Sequence, residues 1–152
     1  VVAVNMAAPP LEGRVESLGI SLWRRWGSAG LRIRRFRPGR EGFLAVWLEA
    51  WVEEEIAEIW KASPGDGFYC HTLASRLCRT ALRACAQDAE GCAPFPALRP
   101  PLRRALEEEG LLAAGERVLR RRYALLTFYP FRRGCAPCAL RSECPQGQRT
   151  SL

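Results

Sequence analysis

Residues Glu41 to Lys61, EGFLAVWLEAWVEEEIAEIWK, carry the strongest apolar periodicity in the chain. Leu44, Trp47, Leu48, Trp51, Val52, Ile56, Ile59 and Trp60 recur at the i, i+3, i+4, i+7 spacing of one helix face. Glu49, Glu53, Glu54 and Glu58 fall on the other side. The spacing predicts a single helix from Glu41 to Lys61. Several Trp on one stripe bury a large area, so the stripe reads as core and not as a ligand platform. Ser63-Pro-Gly-Asp-Gly67 then supplies the turn chemistry that stops the helix.

Working outward, a second helix is expected from near Tyr69 to Asp88. Its apolar face is Leu73, Leu77, Cys78, Ala81, Leu82 and Cys85, and the two cysteines on it read as packing residues. The segment from Gly91 to Pro101 holds four prolines and cannot be regular helix. Pro100-Pro101 suit the start of a third helix, Pro101 to Glu109, with Gly110 as its stop. Residues 116–128 fit both periods, and helix is favoured. On the other side, Leu22 to Arg40 is irregular or a short hairpin, because Leu31 and Ile33 alternate with Arg32 and Arg34. The expected architecture is therefore mainly α, a compact single-domain helical protein. Residues 1–40 form a basic N-terminal arm that need not be fully ordered. Residues 41–152 form the helical domain with a Cys-rich C-terminal metal or cluster loop.

The chain has 152 residues, 48% apolar, with five Trp and six Phe, which suffices for one ordinary core and excludes disorder throughout. The longest apolar run, Phe43 to Val52, is broken at Glu49 and is too short to span a membrane. Val1 to Pro10 shows neither a charged n-region nor a sustained apolar one, and Met6 would be an ordinary start. A soluble, cytoplasmic protein with no membrane partner is expected.

Net charge is +7, and 22 of the 23 basic residues are Arg. Residues 1–40 set eight Arg against two Glu, whereas residues 41–66 set one Lys against seven acids. Leu22-Trp-Arg-Arg-Trp26 and Leu31-Arg-Ile-Arg-Arg-Phe-Arg37 interleave aromatic residues with Arg, as a DNA- or RNA-binding surface would. Arg120-Arg-Arg122 and Arg132-Arg133 add charge near the cysteines. The competing reading has Trp23, Trp26 and Phe36 anchoring the arm on the core while its Arg pair with the acidic helix.

Seven cysteines, an odd number with no export signal, point to metal binding or burial before a disulfide framework. The most specific motif is Gly134-Cys-Ala-Pro-Cys-Ala-Leu-Arg-Ser-Glu-Cys-Pro145, a C-x2-C-x5-C-P pattern. Two thiolates two residues apart can face one centre from a tight turn. Gly134 permits that turn, and the gap to Cys144 can hold a helical turn that returns the third sulfur. A closed four-thiolate site needs a fourth ligand. Cys92 is the choice, because Gly91-Cys-Ala-Pro94 repeats the letters around Cys135. Cys70, beside the lone His71, is the alternative.

The C-x2-C-x5-C ending resembles the cluster-binding termini of endonuclease III-like DNA glycosylases, RecB-like CRISPR-associated nucleases and WhiB-type regulators. It is also similar to auxiliary-cluster segments of some radical-SAM enzymes. In the first three the cluster is [4Fe-4S], so the resemblance implies a cofactor class. It extends only from Gly134 to Pro145, and the surrounding pattern of each family is missing. Phe128 stands where a glycosylase has a further Cys, and Pro130 where a similar molybdenum-donor protein has one. The expected cofactor is a [4Fe-4S] cluster on Cys92, Cys135, Cys138 and Cys144, with zinc as the alternative. The expected role is redox or accessory, through a partner protein. The alternative is a nucleic-acid-binding module with a structural metal site. Apart from these cysteines no catalytic constellation is visible: Glu53-Glu54-Glu55 and Glu107-Glu108-Glu109 point around helices, and a Ser–His–Asp triad would rest on His71 alone.

Overall fold

A computed structural model describes residues 14–86 and 92–146. The first thirteen residues of the basic arm, the expected helix end at Asp88, and Gly91 lie outside the described residues. The chain is mixed α/β and not mainly α. Among the described residues four α-helices accompany a three-stranded antiparallel sheet. In chain order these are α1 (Arg14–Arg25), a π-helical turn (Trp26–Gly30), β1 (Leu31–Phe36), β2 (Phe43–Leu48), α2 (Ala50–Ala62), α3 (Pro64–Cys85), α4 (Pro100–Glu108) and β3 (Leu125–Phe128).

The correction begins in the apolar run itself. The expected Glu41–Lys61 helix divides at Glu49, whose extended backbone (φ −62°, ψ 156°) ends β2 and stands at the N-cap of α2. All six β2 residues are buried. Alternate side chains leave opposite faces of a strand. Leu44, Val46 and Leu48 join Leu22, Trp26, Val52, Ile56, Leu73 and Leu77 in one core. Phe43, Ala45 and Trp47 join Leu102, Leu106, Leu111, Leu112, Leu126 and Phe128 in a second. A strand covered on both faces reads as a continuous apolar run, and such a run carries no period-2 signature to set against the helical one.

Strand order is β1-β2-β3. β1 pairs along its whole length with β2, from Leu31 opposite Leu48 to Phe36 opposite Phe43. β3 lies on the other edge of β2, with Phe43 opposite Phe128 and Val46 opposite Leu125. The weakly favoured helix at 116–128 is thus corrected at its end to a strand. The stretch from Leu22 to Arg40, read as irregular or hairpin, is the end of α1, the π-helical turn and the first strand of a hairpin with β2. Trp23 and Trp26 are buried beneath it.

Ser63-Pro-Gly-Asp-Gly67 does more than stop α2. The Ser63 hydroxyl accepts from Asp66 N–H at 3.4 Å, and Pro64 occupies the first turn of α3, which therefore starts earlier than the expected Tyr69. The corner is tight: a Cβ at Gly67 would lie 2.8 Å from Trp60 Cα, closer than real side chains approach, so α2 and α3 can meet there only through glycine. α4 matches its expected span to within a residue, and Gly110 follows it with φ +71°, a conformation natural to glycine. No helix among the described residues is long and apolar enough to cross a membrane.

Candidate metal centre

Two segments distant in sequence meet beyond the end of β3. The buried Thr127 hydroxyl donates to Pro94 O at 2.9 Å, which fixes the Cys92–Pro96 segment against the sheet. That segment in turn holds the C-terminal loop by two hydrogen bonds of the Phe95 backbone. Phe95 N–H donates to Cys138 Sγ at 3.4 Å, and Ala139 N–H donates to Phe95 O at 2.8 Å. Pro94 is itself fully buried, so the carbonyl that receives Thr127 has no water to replace it.

The loop from Gly134 is built by local bonding. Gly134 has φ +81°, the left-handed conformation that favours glycine. Cys138 N–H donates to Cys135 O at 3.1 Å, closing the turn between the paired cysteines. Arg141 N–H donates to Cys138 O and Cys144 N–H to Leu140 O at 2.9 Å, a helical turn that brings Cys144 back towards the pair. Cys92, Cys135, Cys138 and Cys144 line one cavity of about 230 Å³, together with Pro94, Gly134, Arg141 and Gln146. Cys92 is exposed and the other three are half-buried. Among the described residues no group of His, Cys, Asp or Glu is gathered tightly enough to hold a single metal ion. The four thiols share the lining of this one cavity.

Their mutual influence is visible in Cys92. Its thiol is pushed up, first by burial and then by the negative charge of Cys138, Cys144 and Cys135, while Arg79 on α3 pulls it back. Like charges around one cavity disfavour ionisation unless a cation joins them. All seven cysteines are free. Cys70, the alternative fourth ligand, is fully buried in the first core and does not line the cavity. Its neighbour His71 turns to Tyr123, with Nδ1 3.0 Å from the hydroxyl. Cys78 is also buried, and Cys85 packs at the edge of the same core.

The aromatic and basic residues of residues 22–37 are largely committed inside the molecule. Trp26 Nε1–H donates to Glu55 at 2.9 Å, and Arg25 pairs with the same carboxylate. Arg32 pairs with Glu49 at 2.8 Å and Arg34 with Glu109 at 2.5 Å, while Arg35 lies over the Tyr129 ring, 4.3 Å from its centroid. Glu53, part of one acidic run, accepts from Arg122 N–H at 2.7 Å. The anchoring-and-pairing reading of the arm therefore accounts for these contacts.

Sequence reasoning missed Phe95, Thr127, Arg79 and Arg141 around the cavity. Phe95 acts through its backbone, which no residue-type pattern reveals. Thr127 lies in a strand read as helix, where its inward direction was hidden. Compared with protein-family models, curated proteins and solved structures, the chain matches none.

Proposed function

We propose that Cys92, Cys135, Cys138 and Cys144 hold a [4Fe-4S] cluster and that the protein serves a redox or accessory role through a partner protein in the cytoplasm, where thiols stay reduced. The observation that carries this reading is the single cavity ringed by all four thiols. In a cluster of this type each of four thiolates binds a different iron, so the sulfurs stand apart around a volume. Zinc would need all four within about 2.3 Å of one point. The choice of the cluster over zinc rests on the single C-x2-C pair and the C-x5-C-P continuation, the spacing that resembles cluster-binding termini.

A bound cluster supplies one-electron chemistry, and the chain's own groups determine how readily it does so. Phe95 N–H already donates to Cys138 Sγ, and hydrogen bonds to cluster sulfurs stabilise the more negative, reduced state. Arg141 at the cavity and Arg79 near Cys92 act in the same direction. Cys92 lies at the exposed side, the natural point of approach for a partner.

Anaerobically purified protein should show a broad visible absorption with iron and sulfide each at about four per chain. Cys135→Ser, Cys138→Ser and Cys92→Ala should lose that content, whereas Cys70→Ser and Cys78→Ala keep it. About one zinc per chain and no sulfide would sink the cluster, and full loading of Cys92→Ala would remove Cys92 from the site.

A further inference from the structure

A second cavity, about 460 Å³, lies beside the cysteine loop, between the β1–β2 turn and the segment leading into α4. Its floor is apolar, made by Phe43, Leu102 and Phe128 of the second core. Three guanidinium groups, from Arg40, Arg99 and Arg132, stand around it with a single carboxylate, Glu41. Arg132 is held in place twice, by Glu41 at 3.1 Å and by the Phe128 ring, 4.7 Å from its centroid. Among the described residues neither Arg40 nor Arg99 has an acidic partner. The cavity is therefore net positive over an apolar base.

Its size falls within the range of small-molecule sites, and so does its mixture of apolar lining with a few charged groups. Pro38, Pro96, Pro101 and Pro137 make much of the wall. A proline wall loses little freedom when a ligand binds, and it presents flat C–H surfaces to a ring. Guanidinium forks match carboxylate and phosphate oxygens. We propose that this cavity binds a small organic anion, a carboxylate or phosphate carried on a flat ring, with Arg40 and Arg99 taking the anionic group and the Phe43–Leu102–Phe128 floor taking the ring. The site contains no cysteine and does not depend on the cluster. Through Pro137 it adjoins the paired cysteines, so occupancy would be felt at the loop.

The test is equilibrium dialysis of the full chain, as purified without oxygen, against adenosine monophosphate, 2-naphthoate and inorganic phosphate. At least one ring-bearing probe should bind with a sub-millimolar dissociation constant, and phosphate alone at least about tenfold more weakly. Arg40→Gln/Arg99→Gln should weaken the ring-bearing probe about tenfold or more, since charge-assisted contacts are lost. Ala97→Trp, at an exposed lining position, should abolish binding by filling the cavity without changing charge. Binding of neither ring-bearing probe overturns the proposal. Phosphate binding as tightly as the tighter ring-bearing probe, or that probe unaffected by Ala97→Trp, shows a bare charge patch and overturns it equally. Circular dichroism and iron content on each variant keep a misfolded sample, or a failure of the cluster reading, separate from these outcomes.

Discussion

Cys78 lies on α3 with 1% of its surface exposed, and burial, with a smaller push from Glu53, raises its thiol to about 12. Cys70 is raised to about 11, by burial first and then by Asp66 and Glu55. Both stay protonated and unreactive across the neutral range, unlike a metal ligand, which must ionise. The sign of the linkage follows. Unfolded thiols ionise near pH 9 while the folded ones do not, so the folded state loses stability as pH rises from about 9 to about 12. Each thiol contributes up to ~1.4 kcal/mol per pH unit within its window. Urea unfolding at a series of pH values from 8 to about 11 should therefore show a falling stability, and Cys78→Ala should flatten the fall by about one thiol's share. Equal slopes in the two proteins would mean that Cys78 is not shielded as described. At this scale the sequence was informative where a residue's neighbours recur at helical spacing. Cys78 sits among Leu77, Ala81 and Leu82 and reads as core. Cys70 bears the same relation to Leu73, Ala74 and Leu77 within the helix expected from near Tyr69, but the neighbouring His71 made it the alternative ligand, and only the fold shows it buried in the core. Cys92 was reachable through the repeated Gly-Cys-Ala-Pro alone, since nothing local gives its direction.

β2 shows why the elements were harder to read than the residues. Leu44, Trp47 and Leu48 fit a helical face, yet Leu44 and Leu48 point to one core and Trp47 to the other. Two-sided burial removes the polar alternation that marks a half-exposed strand, and the only break is one Glu at the strand–helix junction. β3 is equally concealed, because four residues are too few to declare a period. The consequence reaches the cysteines, since β3 carries Thr127 and Thr127 holds the Cys92 segment. Thr127→Val keeps the shape and removes the donor, leaving Pro94 O buried without a partner. The expected cost is ~1–3 kcal/mol of stability, seen as a lower thermal midpoint. Because the same bond positions Phe95 against Cys138, the variant should also lose its visible absorption faster in air. An unchanged midpoint together with an unchanged bleaching rate would show that this bond holds nothing.

Across the whole molecule, opposite charges and opposite layers come together in ways that no local pattern specifies. The basic stretch and the acidic helix pair through Arg25–Glu55 and Arg32–Glu49, so the sequence's charge blocks describe an internal match as well as a surface. The sheet lies between two apolar layers, whereas the cysteine loop lies outside both, with residues 139–143 exposed. Hydrogen bonds from Phe95 N–H to Cys138 Sγ and from Ala139 N–H to Phe95 O, together with the proposed cluster, tie that loop to the rest. If the proposed cluster is bound there, the core should stand without it and the loop should not. Amide hydrogen exchange before and after anaerobic chelation measures this directly. Removal of the metal should speed exchange at Phe95 and Ala139, whose N–H groups bridge the two cysteine segments, by at least about tenfold. The β2 amides, buried between both layers, should keep their protection. Equal acceleration in β2 and at the bridge would make fold and metal a single cooperative unit. No acceleration at the bridge would show that the metal does not fasten the loop, and the link from Thr127 through Pro94 and Phe95 to Cys138 would then be sufficient by itself.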